Sequence, residues 1–387
     1  MKIRYLMLHA YGMGGTIRTV VSQANAMARA GHDVEIVSVV RRRNKPQFAI
    51  HRDVRVSALV DQRQGRQPDS FARRAWRRLR GKIVPRGEFA AEYFTERVEK
   101  AVMDYVAGLD GGILVTTRPA LNLIAARRAS RNVIKVAQEH MNLAAYPETI
   151  REEIARYYGR FDAVAVLTET NRREYEQILP DTRIVQIPNA VHKVDQERST
   201  QQNPVVVAAG RLVPQKGFDL LIPAFAQVAA EYPDWKLRIF GNGPRQARLQ
   251  AQIDELGMGG NIALMGRTDR LDDELAAASV YALSSRFEGL PMVMIEAMTH
   301  ALAIVAFDCP TGPRDVLTDG VDGVLVPPRD VDALAAALKS VVRDRRRRLE
   351  LGAAAAATAR GYAPDVVMPM WEDLFTELLR AERARPA

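Results

Sequence analysis

Short runs of apolar, mostly β-branched residues punctuate the chain, and between them apolar positions return every third or fourth residue. The short runs have the length and composition of strands buried on both faces, whereas the spacing between them is helical. Strands are predicted at Ile3–His9, Val34–Val39, Val54–Leu59, Ile113–Thr116, Val133–Ala137, Ala163–Leu167 and Arg183–Ile187. A second series is predicted at Val205–Ala209, Lys236–Phe240, Asn261–Met265, Val280–Leu283, Ala303–Phe307 and Val324–Val326. Alternating strand and helix gives parallel sheets wound with helices, an α/β architecture.

The rhythm breaks twice. Residues Asp61 to Glu88, rich in Gln, Arg and Gly, read as a mobile, basic excursion. Later, Ile187-Pro-Asn-Ala-Val-His192 runs into the polar stretch Lys193 to Pro204, after which the α/β pattern restarts. At 387 residues the chain exceeds what one core usually supports. We therefore expect a first Rossmann-like domain at 1–192, a linker at 193–204 and a second doubly wound domain at 205–365. Ligands of such sheets sit beyond the carboxyl ends of the strands, so two of them are expected to face a central cleft.

Composition narrows the function classes. With 47% hydrophobic and 26% charged residues the chain is neither disordered nor fibrous. The opening apolar stretch is too short for a membrane span and reads as a strand, and no run approaches the ~20 apolar residues a span needs. A single cysteine, Cys309, excludes an internal disulfide framework. The expected location is the cytoplasm, with peripheral attachment to the cytoplasmic face of a membrane suggested by charge. The net charge of +9 is concentrated in Arg41–Arg43 with Lys45, in Arg73 to Lys82, and in Arg343 with Arg345–Arg348. Such runs attract polyanions or anionic lipid, although solvated helix faces produce them equally well. In the middle run, Phe71, Ala75, Trp76 and Leu79 fall at helical spacing among cations, the pattern of a helix lying on a membrane surface. No familiar nucleic-acid-binding motif accompanies them, and nucleic acid is not an expected partner.

The chemistry-bearing residues cluster at predicted strand exits. After Val280–Leu283 comes Ser-Ser-Arg-Phe-Glu288-Gly-Leu-Pro291-Met-Val-Met-Ile-Glu296, with proline placed to open a helix. Backbone amides near Gly289 and Leu290 would form an anion site for a diphosphate, flanked by Glu288 on the loop and Glu296 a turn into the helix. Carboxylates so spaced can accept from hydroxyls at two parts of one elongated ligand. After Val205–Ala209, Gly210-Arg211-Leu-Val-Pro-Gln-Lys216-Gly217 delivers two cations to the same sheet edge, suited to neutralising a diphosphate. A solvated loop offers such a pair too, and the spacing is not that of a P-loop.

In this combination the chain resembles glycosyltransferase family 4, retaining enzymes of GT-B fold with an E-x7-E signature, here Glu288 and Glu296. Gly210-Arg211 with Lys216-Gly217, Phe240-Gly241-Asn-Gly243-Pro244, Met265-Gly-Arg267 and Phe-Glu288-Gly-Leu-Pro with Glu296-Ala297 stand in the family's order along nearly the whole chain. The resemblance implies that Arg211 and Lys216 hold the donor diphosphate, Glu296 the ribose hydroxyls and Glu288 the hydroxyls of the transferred sugar. Gly241 and Gly243 would line the donor site, and Arg267 and Thr268 would meet the nucleobase, largely through backbone. It also implies that residues 366–387 pack back on the first domain. There, Gly12-Met-Gly14-Gly15 would let backbone approach a donor phosphate or an acceptor, though such a turn serves packing as readily. His140, in Gln138-Glu139-His140, matches the loop where the family places a histidine near the donor sugar. Glu139 could orient that histidine or face solvent, and His9 and His192 could simply pack or cap.

The reaction implied by the resemblance is transfer of a sugar from a nucleoside diphosphate donor, UDP by family frequency, to an acceptor hydroxyl with retention. Both Asp330-Val-Asp332 and the acidic run Asp269–Glu274 read as helix starts, so no essential metal or other cofactor is expected. The basic runs, and Asp308-Cys-Pro-Thr-Gly-Pro313-Arg314, which resembles a segment of bacterial relatives, suggest a glycan, lipid-linked or polyol-phosphate acceptor of the cell envelope. A nucleotide-sugar epimerase, a phosphorylase and a non-catalytic polyanion- or membrane-binding module are the competing readings.

Overall fold

A computed structural model describes residues 1–65, 83–85 and 87–384. The basic run Arg73 to Lys82, with Phe71, Ala75, Trp76 and Leu79, lies outside these. The chain divides into two compact units: Met1–Pro188 with Val367–Ala387, and Asn189–Val366.

In the first unit the strands β1 (Lys2–Met7), β2 (Asp33–Arg41), β3 (Val54–Asp61), β4 (Ile113–Thr116), β5 (Ile134–Gln138), β6 (Ala163–Val166) and β7 (Ile184–Gln186) form one parallel sheet in the order β3-β2-β1-β4-β5-β6-β7. The second unit sets β8 (Val205–Ala209), β9 (Lys236–Phe240), β10 (Ile262–Gly266), β11 (Val280–Leu283), β12 (Ala303–Phe307) and β13 (Val324–Val326) in the order β10-β9-β8-β11-β12-β13. Every predicted strand is present, displaced by a few residues at most. Strand β11 is buried throughout, as are β8 and β12, which is why these segments read as continuous apolar runs.

Each sheet changes direction once, between β1 and β4 and between β8 and β11. At such a switch point neighbouring strands send their outgoing loops to opposite faces, which opens a crevice at the carboxyl edge. In the second unit those loops are residues 210–217 and 284–291, which carry the sequence-derived site. The β8–β11 register, Val206 with Val280 and Val207 with Tyr281, sets both loops at one height.

Acidic side chains stand at the start of two helices. Asp330 Oδ1 accepts from the Ala333 amide at 2.9 Å, opening the helix Val331–Arg343, and Asp272 and Glu274 lie in the first turn of Leu271–Ala277. Both acidic runs are therefore helix starts. Each unit has its own core, centred on residues such as Leu114, Ile124 and Val164 in the first and Phe225, Leu237 and Val305 in the second.

Two sequence expectations need adjustment, and that for the last helix holds. The polar run 193–204 is fastened to the second unit: Ser199 Oγ donates to the Ala278 carbonyl and Gln201 Nε2 to Ala301 O at 2.6 Å. These buried bonds make it part of the domain and not a free linker. The last helix, Pro364–Arg383, begins in the second unit and from Val367 belongs to the first, where Glu372 Oε1 meets His32 Nε2 at 3.0 Å. Finally, the arginines at 345–348 are partly structural. Arg348 is buried, donates to Val341 O and Val342 O at 2.8 and 2.7 Å, and lies over the Trp235 ring. It caps the carbonyl end of Val331–Arg343, where a cation is favoured.

Candidate active site

At the carboxyl edge of the second sheet, glycines let three loops nest. Gly210 N bonds to Phe240 O at 2.9 Å, Leu212 N to Asn242 O at 2.9 Å, and Gly241 N to Gly266 O at 2.7 Å. Gly241 takes φ 140°, and a Cβ there would stand 1.8 Å from the Gly210 carbonyl oxygen; one on Gly243 would meet Leu212 O at 2.3 Å. No side chain fits between these strands' exits, so glycine is required by close backbone approach. Gly217, left-handed at φ 63°, plays the same part between the β8 and β11 loops, since its Cβ would meet Ser284 O at 2.0 Å.

Across that contact the two sequence-derived halves of the site come together. Lys216 Nζ lies 2.6 Å from Glu288 Oε1, although the residues are 72 apart in sequence, and Ser285 Oγ donates to the same oxygen. Glu288 is 5% exposed, so its charge is met by specific partners and not by bulk water. Ser284 Oγ donates to Lys216 O at 3.0 Å, Gln215 Nε2 to Phe287 O at 3.0 Å, and Arg286 clasps Asp219 through two bonds of 2.8 and 2.7 Å. That clasp holds the Asp219 carboxyl below its usual range. Arg211, one residue beyond Gly210, is exposed on the same loop.

Pro291 caps the helix Met292–Thr299, with Gly289 and Leu290 immediately before it and Glu296 on its second turn, nearly buried. The Asp308–Arg314 segment braces this turn from the side. Glu288 N donates to Pro310 O at 3.1 Å, Thr311 Oγ1 to Glu288 O at 3.0 Å, and Asp308 pairs with Arg314. Cys309 is buried within it, and burial beside Glu288 pushes the thiol up to about 12, far from a thiolate nucleophile.

A cluster that sequence reading set aside adjoins Glu296. His192 Nδ1 is 3.6 Å from Glu296 Oε1 and its Nε2 is 3.1 Å from Asp272 Oδ2. Buried His300 points Nε2 toward the other Asp272 oxygen at 3.7 Å, while its Nδ1 lies 2.7 Å from Glu197 O. Burial alone would raise the Asp272 carboxyl, but the His192 bond and the two imidazoles bring it below its ordinary value. Arg267 and Thr268 follow β10. Arg267 is exposed, and Thr268 Oγ1 accepts from the Arg270 amide at 3.0 Å, shaping the turn.

In the first unit, Gly14 (φ 154°) precedes the helix Gly15–Arg29 after β1, and a Cβ added at either Gly14 or Gly15 would meet open space. His140 follows β5. Both its ring nitrogens are buried without a hydrogen-bond partner, and burial, aided by Arg118, lowers its pKa to about 4. It is a neutral imidazole holding unused hydrogen-bonding capacity. Glu139 neither orients it nor faces solvent: the carboxylate is buried and accepts from Asn122 Nδ2, Tyr158 OH and Tyr146 OH at 2.8, 2.7 and 2.7 Å. Burial raises its pKa despite these donors. Among the described residues no group of three or more His, Cys, Asp or Glu gathers as a metal centre would need, and no helix is long and apolar enough to cross a membrane.

Comparison with known proteins gives this geometry a context. Residues 192–358 match the family model described as glycosyl transferases group 1. An exopolysaccharide phosphotransferase of Streptomyces coelicolor is 35% identical over 98% of the chain, which spans 41% of that relative's length. An uncharacterized glycosyltransferase of Haemophilus influenzae is 24% identical, with 96% of the chain and 99% of the relative covered. Among solved structures, a point mutant of Staphylococcus aureus TarM in complex with fondaparinux, α-GlcNAc-glycerol and UDP aligns with a TM-score of 0.77 at 16% identity, over 97% of this chain and 100% of that one. That likeness shows the two-domain GT-B fold. The match of residues 192–358 supports a glycosyltransferase domain of group 1.

Proposed function

We propose that the protein is a retaining glycosyltransferase that moves a sugar from a nucleoside diphosphate donor, UDP foremost, to an acceptor hydroxyl. The observation that carries this reading is the Lys216–Glu288 pair, a cation and a buried carboxylate assembled from two strand exits at the sheet's switch point. In the proposed complex Lys216 and Arg211 neutralise charge growing on the departing diphosphate, and amides near Gly289 and Leu290 add to that field. Glu288 holds hydroxyls of the transferred sugar and Glu296 those of the ribose. His140, neutral and with nitrogens to spare, serves the sugar side. The departing phosphate oxygen takes the acceptor's proton on the face it leaves, giving retention without a side-chain base. No resident metal is needed, because the protein's own cations meet the diphosphate.

The acceptor is proposed to be a glycan, lipid-linked or polyol-phosphate chain of the cell envelope, reached from the cytoplasmic membrane face. Support comes from the exopolysaccharide relative and from the glycerol glycoside held by TarM.

The test is an assay of the purified chain with UDP-hexoses, GDP-mannose and glycerol-phosphate or lipid-linked acceptors, in excess EDTA. Sugar transfer releases the nucleoside diphosphate; the competing phosphotransfer, in which the sugar moves together with its phosphate, releases the monophosphate instead. We expect UDP or GDP, an acceptor requirement and an α-linked product. Release of UMP, turnover without acceptor or dependence on inorganic phosphate would replace this reading with phosphotransfer, epimerisation or phosphorolysis. Lys216→Ala should lower kcat by about a hundredfold, the usual loss on removing one transition-state donor; near-normal turnover of the folded variant would remove Lys216 from the chemistry.

A further inference from the structure

His192 turns each ring nitrogen toward a different carboxylate, Nδ1 to Glu296 at 3.6 Å and Nε2 to Asp272 at 3.1 Å. A neutral imidazole carries one N–H and can turn it to only one of them; the imidazolium presents an N–H to each, as a hydrogen bond to Asp272 and an ion-pair contact to Glu296. Two carboxylates on opposite edges of the ring favour the charged form. Among the described residues, ionisable groups that bear on it include Glu296 and, through Asp272, His300 from the helix Met292–Thr299 and its end, and Asp272 from Leu271–Ala277. Gln196 Nε2, 3.5 Å from the His192 Nε2, comes from the chain before β8. On the far side of Asp272 stands His300, its Nε2 3.7 Å away and its Nδ1 against the Glu197 carbonyl. The arrangement is a row, Glu296–His192–Asp272–His300, whose outer end is fixed and whose inner end is the carboxylate at the donor site.

We propose that His192 is a positioning residue for the donor: its imidazolium orients Glu296 to accept the ribose hydroxyls, so that protonation of His192 tunes nucleotide affinity. This rests on the reading of Glu296 as the ribose carboxylate. Proton count sets the direction of the effect. Below the imidazole's titration both contacts are made and the ribose is held; as pH rises through it, the neutral ring keeps one N–H, Asp272 at the shorter distance claims it, and Glu296 loses the His192 donor. Affinity for a nucleotide with ribose hydroxyls falls with rising pH, and affinity for one without them does not.

The experiment is titration calorimetry of the full chain with UDP and with 2′,3′-dideoxy-UDP from about pH 5.5 to 8.5, the range in which imidazole titrates. Ionisation of the diphosphate is common to both probes and cancels in their affinity ratio. In the wild type the preference for UDP over the dideoxy analogue should shrink about tenfold across the range, the scale of one charge-assisted hydrogen bond. In His192→Gln the ratio should be flat at its high-pH value. Glu296→Gln should flatten it as well, and adding His192→Gln to it should cost nothing further. A pH-independent ratio in the wild type, or an unchanged profile in His192→Gln, overturns the proposal. Absence of UDP or GDP binding to the wild type at any pH overturns instead the donor-site reading beneath it.

Discussion

A histidine whose ring nitrogens are buried, lowering its pKa to about 4, should contribute to stability in a pH-dependent way. The unfolded chain binds a proton at His140 near the ordinary value of about 6.5, whereas the folded chain does so only at about 4. Its contribution is therefore fully present above the unfolded value and is lost as pH falls from about 6.5 toward 4, by about 3 kcal/mol at most. Urea denaturation of the wild type should show that slope between about pH 7 and 5, and His140→Asn, which cannot titrate, should flatten it; an equal slope in both would mean that His140 is hydrated. The residue was legible in the sequence because the loop Gln138-Glu139-His140 resembles the one where the family places a histidine. Its neighbour Glu139 was not: its partners Asn122, Tyr146 and Tyr158 come from elsewhere in the chain, and only packing reveals that the carboxylate is sequestered. His192 was set aside for the same reason, since Asp272 lies 80 residues away and no local spacing signals the pair.

The helix Phe218–Glu231 carries Pro223 within its second turn. Proline has no amide hydrogen, so the carbonyl of Asp219, four residues earlier, loses its helical partner. Gln252, on the adjoining helix Gln246–Glu255, supplies the missing donor: its Nε2 reaches Asp219 O at 3.0 Å. The repair matters because the Asp219 side chain grips Arg286 of the β11 loop, and the backbone that aims it is the one Gln252 steadies. Gln252→Ala should destabilise the protein by about 1–2 kcal/mol, the cost of leaving a carbonyl unpaired, and Gln252→Glu should do the same because a carboxylate cannot donate. A chemical denaturation midpoint unchanged in both would show that water serves Asp219 equally well. At this scale strands were easily read, since their apolar runs follow from burial on both faces. Loop geometry was legible only where glycine marks it, as at Gly217, Gly241 and Gly243. The brace supplied by Asp308–Arg314 was beyond sequence reasoning, because its bonds to Glu288 run through backbone and depend on a turn conformation that composition does not encode.

Over the whole molecule the question is where an excess of nine positive charges acts. Of the three runs that suggested an anionic surface, two are at least partly occupied. Arg348 is buried over Trp235 and caps a helix, Arg347 donates to the Gly320 carbonyl, and Arg345 bonds to Thr200 O at 2.9 Å. Arg41 and Arg42 lie over the rings of Tyr11 and Tyr93. Cations committed to carbonyls and aromatic faces have already lost part of their hydration and much of their reach, and moving them to a lipid surface would break those contacts. The attraction proposed for a membrane-linked acceptor is then expected from Arg73, Arg74, Arg77, Arg78, Arg80 and Lys82, interleaved with Phe71, Trp76 and Leu79. Each cation near an anionic surface contributes about 1 kcal/mol at low salt, and the attraction decays over a Debye length of about 8 Å at physiological ionic strength. Sedimentation with vesicles of phosphatidylglycerol and phosphatidylcholine should therefore show binding that weakens steeply with salt. Replacing Arg73, Arg74, Arg77 and Arg78 by Gln should abolish it, and replacing Arg345, Arg346 and Arg347 should leave it largely intact at some cost in stability. The reverse pattern would place the membrane-facing charge on the second unit, and salt-insensitive binding would assign the attachment to Phe71, Trp76 and Leu79 acting by apolar insertion.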